Sequence, residues 1–404
     1  MSSLVLWLRS NMTSNTLKLS AAFVDSSRPL STVTFPESSY VLSIAELQSH
    51  YAAAASSPSN AICILDKSDP RVIVRSLPGH TEGISYMRTA RLLQGAHDVL
   101  LSCGADGRVK TWDERAGTVG VQMQNLGRRV PLLCCDASPN GNLVAAGTAL
   151  QGEDAVILYW DPRNPSAPLR RHTSTHSDDI TAVHFAQHGS AITLLSASSD
   201  GLLCTSNPLE ENEDESNTAI GNWGCSISKA GWLHRDSGLD GSGIWAASDM
   251  ETLSFWSDEV SLERNHPIGA DVESLASLDS SIKSNKLVES GWYNRTQHFL
   301  GGDIALVSPH QSDDQWSLEQ LYTRGHSEIV RSILWDEDAG LLLSGGEDAR
   351  LIVWSSPVQF SQNGTGHHVD MDVEPPQKRE FDDRTKENTY RLIIQRHGIF
   401  RARA

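Results

Sequence analysis

Positive charge is scarce in this sequence. Lys and Arg number 33 against 50 Asp and Glu, a formal net charge of −17. Phosphate contact needs basic surface, so a general nucleic-acid binder is excluded unless one segment is locally basic. Cysteine is also sparse. The six are scattered, only Cys134 and Cys135 are adjacent, and no Cys-x-x-Cys pair occurs. Neither a zinc site nor a redox motif is supported, and small buried hydrophobes in a reducing compartment are expected. The opening MSSLVLWLRSN has too short an apolar run for a signal peptide or a membrane span. Without a secretion signal, the Asn-x-Thr matches at Asn11, Asn294 and Asn363 carry no weight. Catalytic signatures are missing as well: no phosphate-binding glycine loop, no His-Glu-x-x-His and no Gly-x-Ser-x-Gly elbow. His97, His184, His188 and His234 show no metal-ligand spacing. No enzyme activity, metal or cofactor is expected.

What the chain does have is a repeated spacing. VLLSCGADGRVKTWDE places Ser102, Asp106 and Trp112 in the order and spacing in which LLLSGGEDARLIVWSS places Ser344, Asp348 and Trp354. Gly-His precedes each, at His80 and His326. An apolar strand before Ser, a tight turn at Asp and an alternating strand ending in Trp make a hairpin. His, Ser, Asp and Trp then converge in one small sheet. A buried carboxylate needs donors, and a His N–H, a Ser hydroxyl and an indole N–H can form a hydrogen-bond chain. Their recurrence with the repeat argues for structure rather than for a hydrolase triad. One such sheet hides too little apolar surface alone, so several must pack around an axis.

These residues resemble the WD-repeat family of β-propellers, whose Trp-Asp pair occurs at Trp112-Asp113 and Trp160-Asp161. Other blades are degenerate. One has His176, Ser196 and Asp200 but Ser206 in place of Trp; another has Asp154 before Trp160 but no Gly-His; a third ends in Trp256 with Met250 at the turn. The polar network is in question in blades three and five. The fold class expected is all-β: a single closed seven-bladed propeller over 38–356, with residues 1–37 supplying the ring-closing outer strand from TLKLSAAFVD or STVTF. Blades one and six have the weakest patterns, and six or eight blades stay open. The blades are set at about 38–77, 78–124, 125–171, 172–218, 219–277, 278–322 and 323–356, and LEENEDES at 209–216 as a solvated loop between the inner strands of neighbouring blades.

Residues 357–404 are read as a disordered tail, polar at first and basic at its end through Lys378, Arg379, Arg384, Lys386, Arg391, Arg396, Arg401 and Arg403. Such a tail suits a nuclear-import or RNA-contacting arm, or one that docks on the acidic body.

Two further features point to partners. Trp112-Asp113-Glu114-Arg115 and Trp160-Asp161-Pro162-Arg163 share a Trp-Asp-x-Arg pattern in successive blades. The doubled pattern resembles that of WD-repeat substrate receptors, which implies docking of Arg115 and Arg163 on the propeller adaptor of a cullin-RING ubiquitin ligase. Pairing of each Arg with the preceding Asp, or with an acid of the next blade, is the structural alternative. Glu82, Asp178, Asp179 and Glu328 open first strands, and Glu153 and Glu347 precede turn Asp residues. Together they are expected to form an acidic rim that attracts basic partner segments. Over a longer span, AAGTALQGEDAVILYWDPR, HSDDITAVHF and GHSEIVRSILWDEDAGLLLSGGEDARL look like the WD repeat-containing protein 89 family. The expectation is a non-enzymatic, intracellular interaction scaffold in nucleus or cytoplasm. Its two concrete forms are the ligase receptor and a ribonucleoprotein or ribosome assembly factor using the basic tail.

Overall fold

The computed structural model describes residues 17–356, apart from 94–96, 116, 126, 128, 234–242, 250–251, 258, 268–273, 277–286, 292–302, 310–315 and 337. The basic tail, His234, Met250, Asn11, Asn294 and Asn363 lie outside the described residues. Strands of three to ten residues, joined by tight turns, build seven sheets. Blade one comprises Val41–Glu46, His50–Ala55, Ile62–Asp66 and Ile73–Leu77. Blades two to five repeat this order of four antiparallel strands, from Ile84–Ala90 through Leu262–Pro267. Blade six holds Ser274–Ala276, Leu287–Gly291, Asp303–Pro309 and Trp316–Tyr322. Blade seven holds Val330–Asp336, Leu341–Gly346 and Arg350–Ser355.

The N-terminal region contributes two strands to two different blades. Ser31–Thr34 pairs antiparallel with Arg350–Ser355 and is the fourth strand of blade seven. Leu17–Ser26 instead runs parallel to Trp316–Tyr322 as a fifth strand on blade six. Of the two candidate segments, STVTF therefore completes blade seven and TLKLSAAFVD does not. Blade seven thus joins a strand from the N-terminal region to the last described strands.

The core lies between blades. Val33, Phe35, Val41, Tyr51, Leu343, Leu351 and Val353 form one cluster at the seam of blades seven and one. Leu101, Cys103 and Val109 of blade two pack on Leu132, Cys135 and Trp160 of blade three. Similar clusters join one to two, three to four, four to five and six to seven. Second strands are almost wholly apolar because both faces are covered, as in Tyr51-Ala52-Ala53-Ala54-Ala55. Five cysteines, Cys63, Cys103, Cys134, Cys135 and Cys204, are buried on first, second or third strands.

Some boundaries differ from the sequence reading. The outer strand of blade three runs on to His176, and that of blade four is Asn217–Asn222, so blade five starts at Ile227. LEENEDES does not connect neighbouring blades. It lies between the third and outer strands of blade four and ends in a short helix, Glu213–Ser216. Glu213 is half-buried there, accepting the N–H groups of Thr173 and Ser174 and the Thr175 hydroxyl of blade three. Those three donors explain why one acid of the run leaves solvent.

Candidate interaction surfaces

Strand direction alternates within a blade. Loops before first strands and turns between second and third strands therefore lie at one end of the ring. Loops between third and outer strands lie at the other end. The polar networks and the acidic residues belong to the first end, and Arg115 and Arg163 to the second.

In blade two, His80 Nδ1 is 2.7 Å from Asp106 Oδ1 and Nε2 is 2.8 Å from Ser102 Oγ. The Trp112 indole N–H donates to the same Ser102 oxygen at 2.9 Å. A carboxylate only accepts, so His80 donates from Nδ1 and accepts the Ser102 proton at Nε2. The Thr81 N–H also reaches Asp106, and Lys110 lies 3.5 Å away. Burial alone would raise the Asp106 carboxyl, but His80, Thr81 and Lys110 outweigh it and hold it well below the usual carboxylate range. Blade seven repeats the arrangement: His326 to Asp348 at 3.0 Å and to Ser344 at 2.8 Å, with Trp354 to Ser344 at 3.0 Å. Side chains sealed this deeply have no room for a substrate: His80, Ser102 and Asp106 are at most 1% exposed.

Blade four keeps His176, Ser196 and Asp200 but has Ser206 at the Trp position. Ser206 is buried and reached by the Tyr159 hydroxyl of blade three. In blade three, Trp160 donates instead to the Gln124 carbonyl of blade two. In blade five, Trp256 turns to Ser254 at 2.7 Å, and Ser226 bonds Asp249. The Trp160 and Trp256 indoles thus each keep an acceptor in place of the serine used in blades two and seven.

A second buried network was not read from the sequence. Arg88, Asp136 and His184 stand on the first strands of blades two, three and four. Arg88 lies 2.9 Å from Asp136 and donates to His184 Nδ1 at 3.1 Å. A guanidinium only donates, so His184 is neutral with its proton on Nε2. Burial first, and the Arg88 charge second, push its pKa down to about 3. Burial raises Asp136 despite the Arg88 charge beside it. The sequence carried one faint signal: the three recur at the period that separates Trp112 from Trp160, but as three different residue types.

These shifts give a pH dependence with a definite sign. Asp106, Asp200, Asp348 and Glu213 have lowered pKa values. Their stabilisation is complete above about pH 4 and is lost as pH falls below it. His184 acts earlier. The unfolded imidazole takes a proton below about pH 6.5 while the folded one does not, so stability declines from there toward pH 3. At pH 5 the His184 contribution is a loss of about 2 kcal/mol. The raised Asp136 opposes this in part. The melting temperature should fall between pH 7 and pH 5, and His184→Gln should flatten that limb. An equal fall in the variant would place the titrating group elsewhere.

At the network end, Glu82, Glu153 and Glu328 are exposed, and Glu82 lies 3.7 Å from Arg129. Asp178 and Asp179 are part-buried. Asp179 accepts the Leu150 N–H of blade three at 2.7 Å, and Asp178 caps the Asp179 N–H. Glu347 holds the buried Arg331 at 2.7 Å from its Nε. Asp178, Asp179 and Glu347 are therefore engaged within the ring.

At the opposite end, Arg115 and Arg163 occupy turns with the same Asp side-chain cap, though the Asp113 carbonyl accepts the Gly117 N–H and the Asp161 carbonyl the Asn164 N–H. Asp113 Oδ1 accepts the Arg115 N–H at 2.8 Å, and Asp161 Oδ1 accepts the Arg163 N–H at 2.9 Å. Each guanidinium folds back on the same Asp, at 3.2 Å for Arg115 and 2.9 Å for Arg163. The side chains are nonetheless 62% and 63% exposed. Hydrogen bonds to these carboxylates raise both guanidinium pKa values further, so both stay charged.

The family model described as WD domain, G-beta repeat, matches residues 71–113 and 318–355. WD repeat-containing protein GTS1 of Arabidopsis thaliana is 29% identical over 75% of this chain and 78% of its own length. The WD repeat-containing protein 89 homolog of Dictyostelium discoideum is 26% identical over 78% of this chain and 83% of its own. The Ribosome biogenesis protein WDR12 homolog of Arabidopsis thaliana is 36% identical, but over 32% of this chain and 27% of its own. Among the described residues no helix is long and apolar enough to cross a membrane.

Proposed function

Because this chain belongs to the WD-repeat β-propeller family, we propose that it is a non-catalytic protein-interaction scaffold that docks, through Arg115 and Arg163, onto the propeller adaptor of a cullin-RING ubiquitin ligase as a substrate receptor. One observation carries the reading: two neighbouring blades offer the same exposed, charged arginine on a turn with the same Asp side-chain cap. Each Asp takes only part of a five-donor guanidinium and fixes its direction. A partner carboxylate then meets a side chain already ordered, which lowers the entropic cost of docking. The acidic end, where Glu82, Glu153 and Glu328 reach solvent, is left to hold a basic substrate segment.

The variant carrying Arg115→Ala and Arg163→Ala should melt within about 1 °C of wild type, since exposed ion pairs contribute little to stability. It should lose the adaptor on affinity purification while retaining other partners, and each single change should be intermediate. Retention of the adaptor by the double variant would end the docking reading.

The basic segment from Lys378 to Arg403 and the partial likeness to a ribosome biogenesis protein favour a second reading, assembly of a nuclear or nucleolar ribonucleoprotein. Removing 357–404 separates the two: pre-ribosomal partners would be lost and the adaptor kept.

A further inference from the structure

Blade one carries a third Asp-x-Arg turn outside the Trp-Asp-x-Arg positions: Leu65 pairs with Tyr51 where Trp112 pairs with Leu100 in blade two, so Asp66 and Ser68 stand where Asp113 and Arg115 do, and Asp66 accepts the Ser68 N–H at 2.7 Å. Asp69-Pro70-Arg71 lies later in the corresponding loop. Asp69 Oδ1 accepts the Arg71 N–H at 3.2 Å and its Nε at 2.7 Å, and Nη2 reaches Asp69 Oδ2 at 2.8 Å. The Asp69 carbonyl accepts the Val72 N–H at 2.9 Å, as the Asp161 carbonyl accepts Asn164 at 2.8 Å. Asp first and Pro second suit such a turn, and blades one and three both have Asp-Pro-Arg. Arg71 is 68% exposed.

Blade one also grips the blade-two turn. Arg75 Nη1 donates to the Arg115 carbonyl at 3.3 Å, and His50 Nδ1 lies 3.1 Å from Glu114 Oε2. Gly117, at φ +67°, leaves room for this guanidinium, which a Cβ there would meet at 1.9 Å. The outer and second strands of blade one thus hold the blade-two turn in place.

We propose that this end of blades one, two and three is a single interaction surface, with Arg71 as a third docking arginine, and that it takes an acidic segment of a protein partner. The inference rests on the docking reading and extends it by one blade. The three forks engage their own Asp through Nε and, at Arg71 and Arg115, Nη2; none of these contacts uses Nη1. A partner carboxylate is recognised at that remaining edge. Each Asp largely cancels the long-range field of its Arg, so the surface selects by short-range geometry. That disfavours nucleic acid, whose binding to a protein scales with phosphate neutralisation.

The test uses the full chain and two probes. On the purified ligase adaptor, Arg71→Ala should weaken binding five- to tenfold with an unchanged melting temperature. Wild-type affinity in Arg71→Ala, with binding lost in the Arg115→Ala, Arg163→Ala variant, would overturn the third arginine and leave the docking reading intact. Should wild type not bind the adaptor, the docking reading falls, and the second probe decides the surface. A fluorescent peptide of alternating Glu and Gly, at low salt, should bind wild type and bind each of the three single Ala variants at least threefold more weakly. No binding, or binding indifferent to Arg71, overturns the proposal. Tighter binding of polyuridylate through the same arginines would overturn it too, making the partner a nucleic acid.

Discussion

Replacing Trp112 or Trp354 with Ala should destabilise the protein by roughly 3–5 kcal/mol, the cost of removing a large buried aromatic. Both indoles are 1% exposed. Trp112 lies in the cluster that joins blades one and two, and Trp354 in the one that joins six and seven. Each also donates to a serine that passes its own proton to histidine. Truncation therefore opens a cavity between two blades and leaves a buried serine with one partner fewer. Asp106→Ala should also destabilise, because His80 would keep a buried donor without its acceptor. Equilibrium denaturation with urea measures all three. Wild-type midpoints in all of them would contradict the packing described.

Deleting residues 1–37 should have an effect at least as large. It removes Ser31–Thr34, the outer strand of blade seven, together with Val33 and Phe35. Those two side chains are 7% and 2% exposed, and their burial contributes about 4 kcal/mol. The Arg350–Ser355 strand would then present an unpaired edge. Loss of cooperative unfolding, or aggregation by light scattering, is expected. A shorter deletion, of residues 1–26, strips only the fifth strand of blade six and should leave a cooperative monomer. If both deletions behave alike, the two N-terminal strands do not have the separate roles described.

The contrast between these strands marks where the sequence stops being legible. The propeller could be read because Ser102, Asp106 and Trp112 recur at fixed offsets as Ser344, Asp348 and Trp354, each set preceded by Gly-His at His80 and His326. A hydrogen-bond chain within one sheet ties those offsets to strand length, so they survive in the sequence. Pairing between distant segments leaves no such trace: TLKLSAAFVD and STVTF both alternate like outer strands, and nothing in either names its blade. The Arg88, Asp136 and His184 cluster joins three blades through positions that are otherwise apolar, again with no local signature. Asp69-Pro70-Arg71 was missed for a different reason. Its turn chemistry is visible, but Leu65 and Ser68 fill the Trp and Arg places of the pattern, and Asp-Pro-Arg comes after them in the loop. Charge was the least legible property. Glu213, Glu347 and Asp179 look like solvated surface in the sequence, yet each bonds a neighbouring strand, loop or buried arginine.

The central claim is that the end bearing Arg115 and Arg163 is a docking surface and not only a set of self-satisfied turns. Direct titration of the purified protein on the purified propeller adaptor of the cullin-RING ligase tests it most simply. Wild type should bind saturably. The variant with both arginines changed to Ala should bind at least tenfold more weakly at an unchanged melting temperature. Equal affinity of wild type and double variant, or no saturable binding by wild type, would contradict the account.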